Sequence, residues 1–170
     1  MHGTLLRTVT YSRVNPRHRL MTWVRFLALT AAHPDRAFEA ATIGRAIYGA
    51  PRGTTVTVVR LPKMAPEVAL EHLASLASLF DDGMCEPLPL ACKTSAAFAE
   101  ALRDGADAVK AARSEWESGW SFPREDQELE HTRVFGGVLT LEELLTRPDF
   151  DRSARRLWDG ALGWEQVAYA

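Results

Sequence analysis

Two stretches rich in β-branched and aliphatic residues, FEAATIGRAIYG (Phe38 to Gly49) and TTVTVVRL (Thr54 to Leu61), lie on either side of APRG, a proline–glycine turn signal. They read as paired strands. A hairpin alone is marginal in water, so its neighbours in the chain decide what it can become. Before it, TLLRTVTYS (Thr4 to Ser12) reads as a strand, and Asn15 with Pro16 opens a helix. Within that helix Leu20, Trp23, Val24, Leu27, Ala28 and Ala31 recur at helical spacing as a core stripe, and His18 and Arg25 share a different face. After the hairpin a second helix starts at Pro66 and stops at the turn Asp81 to Gly83. Strand, helix, two adjacent strands and a helix predict an α+β fold.

The remainder reads as mainly helical. EPLPL (Glu86 to Leu90) must be extended, because its prolines cannot donate to a helix. Thr94 or Ser95 caps a helix over Ala96 to about Ser118, and GWSFPREDQELEH follows as a polar loop. HTRVFGG reads as a short edge strand, LTLEELL as a brief helix and SARRLWDGAL as a helix near the C-terminus. With no internal repeat, low-complexity tract or interior linker, residues 1–170 read as a single domain. The composition, 46% hydrophobic and 25% charged, is that of a globular domain. No apolar run approaches the roughly 18 residues of a membrane span, and MHGTLLRTVTYSR lacks the apolar centre of a signal peptide, so a cytoplasmic location is expected. Cys85 and Cys92 fit neither a disulfide framework nor a zinc site.

Charge is the unusual property. No Asp or Glu occurs between Glu39 and Glu67, although the chain has 22 of them. Residues 1–63 hold ten Lys/Arg against two Asp/Glu, a net +8, and residues 64–170 hold ten against twenty, a net −10. Such asymmetry suggests an anionic partner on the basic side, or two parts that neutralise one another. Most enzyme chemistries lack their residues. APRG lacks the spacing and the lysine of a phosphate loop, Gly136-Gly137 is too short for a dinucleotide turn, no serine sits in a nucleophile elbow, and His2, His18, His33, His72 and His131 are scattered. The acids of EDQELEH (Glu125 to His131) read as a solvated face, so neither a metal nor another cofactor is expected. The element order matches the PD-(D/E)xK nuclease core, whose strand pair presents carboxylates to magnesium. Here TVTVVRLPK places Val58, Val59, Arg60 and Lys63 where acids would stand, and a hard cation cannot be held without them. The fold expectation is therefore a PD-(D/E)xK nuclease-like core, a central mixed sheet flanked by helices, with a degenerate site.

YSRVNPRHRLMTWVRFLALTAAHP (Tyr11 to Pro34) with ATIGRA (Ala41 to Ala46) resembles the start of the C-terminal domain of RecC, the gamma subunit of exodeoxyribonuclease V, in its actinobacterial form. LFDDGMCEPLPLACKTSAAFA (Leu79 to Ala99) is similar to that family's helix, acidic turn, Pro-Leu-Pro segment and Lys-Thr-Ser helix start, and HTRVFGG and ARRLWDGAL resemble its closing motifs. The likeness covers nearly the whole chain but only the end of a much longer subunit, so the chain reads as an excised domain. The resemblance implies a nuclease-like fold without its active site. It also implies a complex with RecB and RecD that unwinds and degrades broken DNA ends during double-strand break repair and recombination, its chemistry residing in those two subunits. RecC would scaffold them and guide the strands.

A former nuclease surface that still faces a polyanion gains from Arg and Lys, whose binding to phosphate releases counterions. The DNA-binding candidates are Arg13 and Arg17 at the entry of the first helix, His18 and Arg25 on its free face, and Arg52, Arg60 and Lys63 on the hairpin. Trp23 lies on the apolar stripe and reads as core. At the C-terminus, Leu157, Trp158 and Leu162 read as core, and Trp164, Val167 and Tyr169 as a contact with RecD, which the family implies for this region. Two other readings stand beside a DNA-guiding scaffold: a subunit-docking domain without DNA contact, and an autonomous nuclease, against which the acid-free hairpin argues.

Overall fold

The computed structural model describes residues 3–120 and 122–170; His2, one of the scattered histidines, and Ser121, in the polar loop, lie outside the described residues. The chain divides into two compact units, residues 1–76 with 160–170, and residues 77–159, the division passing through two of its helices. The architecture is mixed α+β.

The first unit is built on a four-stranded mixed sheet of order β1-β2-β3-β4. Strand β1 (Leu5–Arg13) runs parallel to β2 (Glu39–Arg45), crossing over through helix α1 (Pro16–Ala32). β2 pairs antiparallel with β3 (Val56–Leu61), and β3 with β4 (Gln166–Tyr169). Asn15 caps α1 as expected, its side chain accepting from the His18 amide, with Pro16 in the first turn. The buried face of α1 is rotated from the expected stripe: Thr22, Trp23, Phe26, Leu27 and Thr30 are buried, and Val24 and Ala28 face outward. A hydroxyl relay makes this tolerable. Thr42 Oγ1 donates to Thr22 Oγ1 at 2.9 Å, which lies 3.2 Å from Thr8 Oγ1, so threonines bind helix to sheet where the pattern read polarity as exposure. Near the end of β1 the register with β2 shifts between Val9 and Arg13. Gly44 sits opposite that irregularity, where a Cβ would lie 2.8 Å from the Ser12 carbonyl oxygen, so a close backbone approach requires glycine there.

The second unit carries the end of helix α2 (Pro66–Cys85), then α3 (Cys92–Arg103), α4 (Ala108–Trp116), a 3-10 turn at Glu125–Gln127, α5 (Leu129–Phe135), α6 (Leu141–Thr146) and most of α7 (Phe150–Trp164). Its core gathers Ala91, Phe98, Ala112, Trp116, Leu141, Leu144 and Phe150, with the Phe98 and Phe150 rings edge to face at 5.1 Å. Trp158 is fully buried and donates its indole N–H to Ser95 Oγ, which supports the core reading of that residue.

Several expectations are corrected here. The predicted helix over Ala96 to Ser118 is two helices, because Gly105 adopts φ +68° and the Asp107 side chain caps a new start by accepting from the Lys110 amide. HTRVFGG is the end of α5, not a strand, and Gly136 ends it in the left-handed conformation. α2 continues through Asp81 to Gly83 and ends at Cys85. Neither Thr94 nor Ser95 is an N-cap: α3 starts at Cys92, and its open end is satisfied from a distance. The Glu125 carboxylate accepts from the Lys93 amide at 2.9 Å, the Thr94 amide at 2.8 Å and the Thr94 hydroxyl at 2.9 Å. The acidic run is thus not uniformly a solvated face. Glu125 is 0% exposed, and Asp126, also buried, takes hydrogen bonds from the amide and hydroxyl of Ser118. LTLEELL is a helix as expected, closed by a capping box between Thr140 and Glu143.

Candidate nucleic-acid interface

Because β1 and β2 run parallel, both deliver their C-terminal residues to the same rim of the sheet. Arg13 ends β1, Arg45 ends β2, and the register sets them side by side. The connection that follows, residues 46–55, folds back through hydrogen bonds from the Ala50 amide to the Ile47 carbonyl and from the Thr54 amide to the Pro51 carbonyl. Gly49 and Gly53 adopt positive φ within it. This loop carries Tyr48 and Arg52. The Arg13 guanidinium stacks over the Tyr48 ring at 4.1 Å from its centroid, while the ring remains 84% exposed. Tyr11, in the irregular part of β1, is 99% exposed. Three arginines and two exposed tyrosines therefore share one rim or its loop, and no acid occurs in 40–66. Guanidiniums neutralise phosphates, and exposed aromatic rings give bases a surface on which to stack.

The predicted candidates are dispersed rather than gathered into one stripe. Arg13 and Arg52 belong to the rim and its loop. Arg17 and Arg25 are exposed on α1. His18 is half-buried, and its ring Nδ1 is enclosed without a hydrogen-bond partner among the described residues. Arg60 projects from the outer sheet face, and Lys63 lies 3.9 Å from Glu39, both side chains largely exposed. Arg19 holds no free charge: it forms a largely buried pair with Glu165, its Nε donating to Glu165 Oε2 at 2.9 Å. Arg45 and Tyr48 were missed because the strand pattern was read through to Gly49, which concealed that β2 ends at Arg45. The alternation of EAATIGR carried the signal, but only the parallel register places Arg45 beside Arg13.

The three C-terminal candidates occupy two environments. Trp164 donates its indole N–H to the Pro62 carbonyl at 3.0 Å. Val167 and Tyr169 lie on β4, a strand the sequence reading did not anticipate, and both remain about half exposed.

Carboxylates are sparse on the paired strands. β3 has none, and Glu39 at the start of β2 faces Lys63. Elsewhere Glu125, Glu128 and His131 bring ligand atoms within 4.8 Å of one another. Their charge is already answered: Glu125 caps α3 and Glu128 lies 3.7 Å from Lys93 Nζ. Among the described residues no helix is long and apolar enough to cross a membrane.

The model of the RecC C-terminal domain family matches residues 2–103 of this chain. The RecBCD enzyme subunit RecC of Mycolicibacterium smegmatis is 40% identical over 159 residues, which cover 91% of this chain and 14% of that protein. The RecBCD enzyme subunit RecC of Mycobacterium tuberculosis H37Rv is 36% identical over 141 residues, covering 83% of this chain and 12% of that protein. The chain thus spans about a seventh or less of the length of these curated relatives.

Proposed function

The chain belongs to the RecC C-terminal domain family, and on that premise we propose that it is a non-catalytic scaffold and strand-guiding domain of the exodeoxyribonuclease V complex, acting with RecB and RecD in the cytoplasm. The observation that carries the guiding role is the rim where Arg13 and Arg45 lie side by side, Arg13 stacked on the exposed Tyr48 and Arg52 in the same loop. Such a surface suits a single strand: the cations follow the backbone and the rings accept any base. Val167 and Tyr169 on β4 serve as the contact with RecD.

The loss of catalysis rests on the paired strands, in a core we read as PD-(D/E)xK-like. A two-carboxylate site for magnesium would have to be built on β2 and β3, and these offer Glu39 alone, already beside Lys63. The test incubates the chain with single- and double-stranded DNA in magnesium or manganese and measures binding and cleavage together. Weak, sequence-independent binding without cleavage is expected, with binding weakened in Arg13→Ala/Arg45→Ala. Cleavage that co-purifies with the chain and vanishes in Glu39→Gln would overturn the non-catalytic reading. Binding indifferent to the arginine pair would leave a docking domain without DNA contact.

A further inference from the structure

A parallel strand pair is ordinarily covered on both faces. In the first unit α1 covers one face of the sheet through Thr22, which meets Thr8 and Thr42. The opposite face holds a groove of about 450 Å³. Its floor is aliphatic, from Leu5, Ala41, Ile43 and Val58, and its walls carry the cations Arg7 and Arg60 and one acid, Glu39, which lies 3.9 Å from Lys63. The register explains the arrangement: Arg7 pairs with Ala41, Ala41 with Arg60, and Arg60 with Gln166, so one rung crosses all four strands. Both arginines line the groove from either side of the smallest residue on the floor, about 10 Å apart at two strand spacings. Both are exposed, and neither forms an ion pair among the described residues.

The chemistry of this groove differs from that of the rim. It has no aromatic lining, so a base would find nothing to stack on, and a phosphate backbone gains nothing from an aliphatic floor. An extended polypeptide answers both features. A carboxylate over Ala41 meets guanidiniums from either side, in geometry suited to forked hydrogen bonds, while neighbouring aliphatic side chains cover Leu5, Ile43 and Val58. We propose that the outer face of the sheet is a docking groove for a segment of a partner protein that carries an Asp or Glu between aliphatic residues. Arg60 then serves protein recognition, and strand guiding falls to the rim.

The experiment uses the whole chain. A library of short random peptides is panned on it and counter-selected on the Arg7→Ala/Arg60→Ala chain; enriched peptides are then synthesised and their affinities measured. The enriched set should carry one acid flanked by aliphatic residues. Changing that acid to its amide should weaken binding at least tenfold, and excess oligothymidine should not displace the peptide. Ala41→Leu, which fills the slot without altering charge, should abolish binding, and the melting temperatures of both variant chains confirm folding. Failure to enrich arginine-dependent peptides, a dispensable acid, or displacement by oligothymidine would overturn the proposal. Oligothymidine binding through Arg13 and Arg45 should persist in Arg7→Ala/Arg60→Ala, so the groove and the strand-guiding rim stand or fall separately.

Discussion

Replacing Glu125 should destabilise the protein more than any surface acid, although it lies in a run that reads as a polar loop. The side chain is 0% exposed and closes the N-terminus of α3, where the cap residue Ala91 has no side-chain acceptor. It accepts from the Lys93 and Thr94 amides and from the Thr94 hydroxyl. Loss of a helix cap costs about 1 kcal/mol. Each buried donor left without an acceptor adds about 1–3 kcal/mol. Glu125→Ala removes the cap and orphans two amides, so a loss of about 3–7 kcal/mol is expected. In a chain of this size that lowers the melting temperature by roughly 10–20 °C. Glu125→Gln keeps one acceptor but loses the charge and turns an amide N–H₂ toward donors, for about 2 kcal/mol. Urea and thermal unfolding followed by circular dichroism measure both variants, and hydrogen exchange at the Lys93 and Thr94 amides localises the effect. A loss below about 0.5 kcal/mol for Glu125→Ala, with those amides still protected, would refute the capping argument.

Three further outcomes follow from other parts of the molecule. Gly44→Ala should cost about 2 kcal/mol, because its Cβ meets the Ser12 backbone oxygen, which cannot yield as a flexible side chain would; equilibrium unfolding checks this. The Thr140 amide and hydroxyl hold the Glu143 carboxyl below the usual glutamate range, and the hydrogen bond from Arg113 does the same for Glu142. A carboxyl lowered by folding contributes stability above its unfolded pKa that is lost as pH falls through its folded pKa, so carboxyl-carbon NMR should show both titrating below an unfolded reference. Burial raises Glu115, which should titrate on the opposite side of that reference. Finally, Val167→Ser/Tyr169→Ser should reduce recovery of RecD on co-purification while barely moving the melting temperature of the chain; a large thermal shift with undiminished recovery would make these residues structural only.

The elements that announced themselves carried local chemistry. Asn15-Pro16 started α1, and LTLEELL read as the helix that became α6, whose capping box of Thr140 and Glu143 is local too, since caps and first turns are decided by neighbours in sequence. The errors came where distant residues decide. Thr22 and Thr42 are polar by composition and buried because they satisfy each other across helix and sheet, which rotated the core stripe of α1. Glu125 serves a helix start 31 residues away, and β4 forms only because β3 offers it an edge. The absence of acids from the hairpin was legible. The rim was half legible: Arg13 and Arg52 could be named, but their neighbours Arg45 and Tyr48 follow from the parallel register and a cation–π contact. Counting charge could not tell that Arg19 is held in an ion pair with Glu165.

The most direct test of the strand-guiding claim is the salt dependence of oligothymidine binding by the chain and by Arg13→Ala/Arg45→Ala/Arg52→Ala, measured by fluorescence anisotropy. Each phosphate contact on a single strand contributes a slope of about 0.7 to log affinity against log salt, so three arginine contacts contribute about two. The account predicts weak binding that falls steeply with salt, and a slope reduced by about two in the triple variant. An affinity and slope unchanged by the three substitutions would contradict it.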